Sequence, residues 1–319
     1  MNSRSPPFVE SGNQESNAIP LYNREPLSPA SAVPTFEFYR FRFQFQALDA
    51  VDFPPGGSAN MLRGACGIFL RKTAPPGLYA RLFEPGRDLG PAPSGLSDWP
   101  RPFVFRAAHL DGLTAEADSF FSFDLHLFDL QQPALPHFQE AFAKWATTGI
   151  GPGRRRARLD RIESLGLNGE LSFAGPCSLP LTPEIEPVEK ITIHFVTPTE
   201  LKSGGRLLER PQFAVLFARV RDRIATLRAL FGPGPLEFDF RGMGERANSV
   251  ILHRCDLAWQ NAARTSSRTG QTHPLGGFTG EAEYHGVLQE FVPWLRAARW
   301  TGVGRQTVWG KGEIHILRQ

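Results

Sequence analysis

TGVGRQTVWGKGEIHILRQ, residues 301–319, places Gly302, Gly304, Gly310 and Gly312 between a segment of helical apolar spacing and a terminal alternating strand. A shorter counterpart, GIGPGRRR, occupies residues 149–156, again behind a helical pattern and ahead of an alternating one. Glycine lacks a Cβ, so such a loop admits left-handed backbone and lets a ligand approach main-chain N–H groups closely. Arg305, Lys311, Arg154, Arg155 and Arg156 add positive charge to the two loops. A single loop of this kind reads equally well as a glycine helix stop with solvated cations. Two at equivalent places point to a duplicated unit whose helix-to-strand connection meets a phosphate-bearing partner. Mononucleotide P-loops and dinucleotide fingerprints fit poorly, because both need a strand, then the glycines, then a helix.

Outward from these loops, residues 35–48 read as a strand: Phe41, Phe43 and Phe45 alternate with Arg40, Arg42, Gln44 and Gln46, and a register change near Tyr39 points to a bulge. Past the turn at Pro54, Pro55, Gly56 and Gly57, Leu62, Ala65, Cys66 and Phe69 fall at helical spacing and leave Arg63, Arg71 and Lys72 on other faces. A Pro/Gly-rich segment, strands over 103–110 and 121–127, and a helix through Phe138, Ala141, Phe142 and Trp145 follow. GIGPGRRR then leads into a strand over 157–162, completing the order βαββαβ. Beyond a Pro-rich linker at 176–187 the order recurs: a strand over 191–196, a helix through Phe213, Leu216, Phe217, Val220, Ile224 and Leu227, strands over 250–259 and 277–284, a helix through Leu288, Phe291, Val292 and Leu295, and a last strand holding Ile314 and Ile316.

The predicted class is α+β, a tandem ferredoxin-like (RRM-like, βαββαβ) architecture with a glycine-rich loop before the last strand of each unit. Residues 1–34, rich in Ser, Pro, Asn and Glu without hydrophobic period, are predicted as a disordered leader. Residues 35–180 form the expected N-terminal domain and 188–319 the C-terminal one. Most of the 26 Phe are expected to fill the two cores.

Composition narrows the function classes. Lys and Arg outnumber Asp and Glu by 35 to 32, a net charge of +3 too small to indicate nucleic acid by itself, so the distribution of charge matters more. Cys66, Cys177 and Cys255 are far apart and in no metal-ligand spacing, which predicts reduced packing residues in a cytoplasmic protein with no metal and no cofactor. No apolar run approaches transmembrane length, and no signal-peptide pattern opens the chain, so no membrane partner is expected.

Several runs resemble, in order, the CRISPR repeat-RNA processing endoribonucleases, the sixth Cas protein family within the RAMP superfamily. They are MLRGACGIFLRK (61–72), YARLFEP (79–85), TGIGPGRRRARLDRIE (148–163), FVTPTELK (195–202), GGRLLERPQF (204–213), RTSSRTGQTHPLGGFTGEAEYHG (264–286) and FVPWLRAARWTGVGRQTVWGKGEIHI (291–316). The resemblance implies a protein that binds the hairpin of a CRISPR precursor transcript and cuts at its base without metal. In that chemistry the RNA's own 2′-OH attacks the adjacent phosphate and leaves a 2′,3′-cyclic phosphate and a 5′-hydroxyl. The alternative is a catalytically inactive crRNA-binding subunit of an effector complex. Implied partners are CRISPR repeat RNA or crRNA, with other Cas effector subunits.

Many relatives carry a catalytic His in or near the first helix; here no histidine precedes His109. Arg63 and Lys72 are therefore candidates for phosphate stabilisation and, for Lys72, proton donation. His273 is a further catalytic candidate, set in the polar turn SRTGQTH among Arg264, Arg268 and Gln271. Those three, with Gly302, Gly304, Arg305, Gly310, Lys311, Gly312, Arg154, Arg155 and Arg156, are the expected RNA-binding residues. His194 and His253 read as structural strand residues.

Overall fold

The computed structural model describes residues 33–86, 96, 98–151, 153–173, 175–261, 263–265, 272–274 and 276–318. The first half runs β1 (Thr35–Ala47), β2 (Val51–Asp52), α1 (Ser58–Thr73), α2 (Pro76–Phe83), β3 (Phe103–Arg106), β4 (Thr114–Ala115), β5 (Phe120–Leu127), α3 (Leu135–Thr148), β6 (Ala157–Ser164) and β7 (Cys177–Pro180). The second runs β8 (Lys190–Thr199), β9 (Lys202–Ser203), β10 (Arg206–Leu207), α4 (Phe213–Phe231), α5 (Phe240–Ala247), β11 (Ile251–Gln260), β12 (Ala263–Thr265), β13 (Thr272–Pro274), β14 (Gly277–His285), α6 (Val292–Thr301) and β15 (Ile314–Arg318). One sheet has the order β3-β5-β1-β6, with β7 added to β1, and the other β11-β14-β8-β15. Each is antiparallel and matches the other strand for strand, so the tandem ferredoxin-like class is borne out. Both sheets lie within one compact unit, Val33–Gln319.

β1 ties the halves together. Its ladder with β5 runs from Tyr39↔Leu127 to Gln46↔Phe120 and its ladder with β7 from Thr35↔Pro180 to Phe38↔Cys177, and neither has a register shift at Tyr39. Phe36 and Phe38 instead face a core shared with α4 and α6, whereas Tyr39, Phe41, Phe43 and Phe45 face the opposite core with α1 and α3. The apolar face changes because the strand passes from one core to another. The irregularity of β1 lies between Gln44 and Phe45, in its pairing with β6. Cross-strand aromatic pairs hold the N-terminal core: Phe43 stacks on Phe123 at 5.3 Å and Phe45 on Phe121 at 5.2 Å between ring centroids.

Some elements depart from the sequence pattern. The strand expected over 103–110 ends at Arg106, and residues 108–110 form a 3-10 turn. α2 starts on Pro76 inside the Pro/Gly-rich segment, where proline suits the first helical turn because no N–H is needed there. α5 was not visible in the pattern; Asp239 caps it by accepting from the Gly242 N–H at 2.9 Å.

The two halves meet at the C-terminus of α6. Arg106 Nη2 donates to the Arg299 carbonyl at 2.8 Å, His126 Nδ1 bonds the Trp300 carbonyl at 3.0 Å, and Arg223 Nε donates to the Thr301 carbonyl at 2.9 Å. These buried donors satisfy carbonyls that a helix end leaves unpaired, and the guanidinium charges complement its negative pole. Trp300 packs on Phe38 with ring centroids 5.2 Å apart and planes tilted by 33°, and seals the contact.

Burial, reinforced by the Arg106 charge, pulls His126 down to about 3 from an ordinary 6.5, so it stands neutral with its Nδ1–H on the carbonyl. Below pH 6.5 the unfolded chain takes up a proton that the native state refuses until about pH 3. Stability is therefore expected to fall as pH drops through this window, by about 1.4 kcal/mol per pH unit from this group. His126→Gln should flatten that slope in urea unfolding between neutral and mildly acidic pH. A slope equal to that of the unsubstituted protein would contradict the assignment.

Candidate active site

Both glycine loops close on the first turns of α1. A side chain at Gly310 would collide with Ala59, and a Cβ at Gly151 would lie 3.9 Å from Met61 Sδ. α1 lacks a capping side chain at Gly57, and Asp111 substitutes from the side, its Oδ1 accepting from the Ser58 N–H at 2.9 Å. Lys311 arrives from the C-terminal loop, and its Nζ donates to the Gly56 carbonyl at 3.0 Å. Only 5% of Lys311 is exposed. Burial lowers its pKa, while the Asp111 charge pulls it up. A poorly solvated ammonium beside the positive end of a helix gains from an arriving anion and gives up its proton more readily than a solvated lysine.

These groups border a cleft of about 700 Å³ between the start of α1 and the C-terminal sheet, with His194, Thr197, Asn261 and Trp309 also on its wall. His194 reaches it from the sheet face opposite the helices, paired across strands with Glu281 and His315. In sequence His194 reads as a structural strand residue. It comes to the cleft only because the sheet that β8 forms with β14 and β15 is placed beside the start of α1, and no local motif carries that information.

The glycine loop also borders a second cavity, of about 410 Å³, lined by Arg101, Lys202, Arg219, Arg223 and Arg305 with Glu200 and Asp98. Arg305 and Lys311 thus serve different cavities. Arg305 Nη1 bonds Glu200 Oε1 at 2.7 Å on the basic side. The loop's N–H groups are largely committed: Gly302 donates to Ala298, Arg305 to Glu200, Gly310 to Thr307 and Gly312 to Pro198 carbonyls. What the loop offers a ligand is its two cationic side chains more than bare backbone. Gly304 also lines the basic cavity, while Gly302 and Gly312 are buried.

The other expected site residues divide. Arg63 lies on α1 with its guanidinium 5.6 Å from the Trp309 ring and 5.4 Å from that of Phe83. Lys72 is exposed in the last turn of α1, about 14 Å farther along the helix axis from Arg63. The structure therefore brings Arg63, and not Lys72, to the loop beside the cleft. Arg264 and His273 are direct cross-strand partners in the β12–β13 ribbon; Arg268 and Gln271 fall outside the described residues. Arg154, Arg155 and Arg156 are exposed, and Arg156 pairs with Asp49 at 3.2 Å.

Two ferredoxin-like units with a cleft between them, closed by a glycine loop from the second onto the first helix of the first, define the class of protein. Within it, residues 193–314 match the family described as CRISPR-associated endoribonuclease Cas6, and residues 36–174 match AF_1859_N, an N-terminal domain. The resemblance read from the sequence is thus borne out by the match over residues 193–314. The fold agrees with the solved structure "Cas6 (TTHB231) product complex" at a TM-score of 0.58 and 20% identity, covering 88% of this chain and 100% of that one. It agrees with Thermus thermophilus Cas6 (TTHB231) at 0.51 and 17%, covering 90% and 100%. It also matches a chain of the "Partial Cas6-RT-Cas1--Cas2 complex" at 0.55 and 13%, covering 90% of this chain and 47% of that one. Among curated proteins, none matches the sequence.

Proposed function

We propose that this protein is an endoribonuclease that binds CRISPR repeat RNA and cuts it in the cleft between α1 and the C-terminal sheet. The observation that carries the reading is Lys311, a buried ammonium held against the start of α1 by the loop that joins the two units. The Cas6 match over residues 193–314 supports the same activity. The RNA's 2′-oxygen forms the new bond to phosphorus as the bond to the 5′-oxygen breaks. His194 takes the 2′-OH proton, and Lys311 stabilises the phosphate charge and protonates the leaving 5′-oxygen. Arg63, beside Trp309, is a candidate for added charge stabilisation, with Lys72 at the far end of α1 and His273 on the β12–β13 ribbon as further candidates. The products are a 2′,3′-cyclic phosphate and a 5′-hydroxyl, and no metal takes part.

The RNA backbone runs over the basic cavity, with Arg305 as a contact, and toward the β12–β13 ribbon that carries Arg264 and His273. Arg305→Ala is expected to weaken hairpin binding and to lower the dependence of log K on log salt by about 0.7 to 0.9 for the lost phosphate contact. Unchanged affinity and slope in a filter-binding series would remove Arg305 from the RNA path. Other Cas proteins are expected partners, in line with the Cas6 chain of the Cas6-RT-Cas1–Cas2 complex.

The test is incubation with cognate repeat RNA in excess EDTA, followed by mapping of the product ends. A single cut ending in a cyclic phosphate supports the enzyme, and tight binding with intact RNA over hours overturns it. Arg63→Ala, Lys72→Ala and His273→Ala, assayed one by one, then sort the remaining candidates: lost cutting with retained binding marks chemistry.

A further inference from the structure

β11 carries one extra residue where it passes Glu283. Leu252 pairs with Tyr284 and Arg254 with Glu283, which leaves His253 as the additional residue of a β-bulge. A bulge re-aims a side chain at the cost of ladder pairing. Here it brings the His253 ring onto that of His285, with centroids 4.2 Å apart and planes 12° from parallel. Both imidazoles address one carboxylate oxygen: His285 Nε2 lies 2.8 Å, and His253 Nε2 4.0 Å, from Glu283 Oε1. Lys190 Nζ holds the other oxygen, Oε2, at 2.9 Å, so its charge sits on the far side of the carboxylate. Apolar packing does not account for the arrangement, since the His253 side chain is 60% exposed.

We propose that His253, Glu283 and His285 bind a divalent transition-metal ion of the zinc class, linking the edge strand β11 to β14. Two imidazole nitrogens and one carboxylate oxygen, with a further position open to solvent, are a donor set that suits Zn²⁺. The three ligand atoms already lie within 4.8 Å of one another. Bonds of about 2.1 Å in a tetrahedral site require ligand separations near 3.4 Å, which shifts of roughly 1 Å in these surface side chains supply. Oε1 serves as a monodentate ligand while Lys190 orients the carboxylate through Oε2, the arrangement by which an outer partner fixes a metal ligand. The site stands on the open face of the C-terminal sheet, and the proposed cut does not pass through it.

The experiment uses the full chain, freed of any affinity tag, stripped with EDTA and dialysed. ZnCl₂ is titrated in by calorimetry, and CoCl₂ serves as an optical probe of ligand geometry. One equivalent of Zn²⁺ is expected to bind, with a rise in melting temperature and the visible absorption of tetrahedral Co²⁺. His253→Ala and His285→Ala should each weaken binding by at least about tenfold, with circular dichroism spectra of the metal-free variants unchanged. Glu283→Gln, which keeps the side chain's shape, should weaken it as well. Absence of stoichiometric binding overturns the proposal, as does binding that both histidine substitutions leave intact, because the metal would then sit at other His or Cys residues.

Discussion

Lys311→Ala is expected to slow single-turnover cleavage of cognate repeat RNA by about 10²- to 10³-fold, the loss typical of removing one preorganised charge-stabilising donor. Affinity for the hairpin should change by less than about threefold, because a single phosphate contact contributes modestly to a multi-contact interface. The asymmetry follows from position. Lys311 is buried at the start of α1, where the proposed site offers it one phosphate, whereas Arg154 and Arg155 are exposed. Rates are measured under enzyme excess, and Lys311→Arg is the informative comparison, since its charge is kept while proton donation is lost. A cutting rate within a few-fold of the unsubstituted protein would remove Lys311 from the chemistry.

Gly312→Ala is expected to destabilise the fold by about 2–4 kcal/mol, seen as a lower urea midpoint with an unchanged slope. Gly312 sits at φ +72°, and a Cβ there would be driven into the Val303 backbone. Val303 N–H donates to the Gly312 carbonyl at 2.8 Å and Gly312 N–H to Pro198 at 3.1 Å, so a shift would break the anchoring of the loop to β8 and displace the adjacent Lys311. Gly77→Ala is the control: Gly77 lies in α2 with open space at its Cβ position, and the exchange should be neutral or stabilising by up to about 1 kcal/mol. Equal stability of the two variants would contradict the packed reading of the loop.

The doubled βαββαβ order was legible because it is written in periods: alternation in β1, helical spacing in α3 and α4, and glycines ahead of each last strand. β1 also set the limit of that reading. Its two apolar faces mimic a bulge at Tyr39, and only the second core, which comes from distant sequence, explains why Phe36 and Phe38 are buried on the side that Arg40 and Arg42 then take up. The site was legible in part. Lys311 and Arg305 stood out as cations in a glycine loop, but their assignment to different cavities depends on how that loop folds back against Ala59 and Glu200. His194 left no signal, being one polar residue in an alternating strand until β8 is placed beside the cleft. His253 was hidden for a related reason: a bulge is a property of the pairing between β11 and β14, and neither strand alone announces it.

The scissile phosphate is expected in the cleft between α1 and the C-terminal sheet. A crystal structure of the protein with repeat RNA carrying a 2′-deoxy substitution at the cut site tests it most directly, because that RNA binds but lacks the nucleophile. The expected result is a scissile phosphate within about 3–3.5 Å of Lys311 Nζ, with His194 turned toward the 2′ position. A scissile phosphate bound in the Arg219–Arg305 cavity, or along the β12–β13 ribbon, would contradict it.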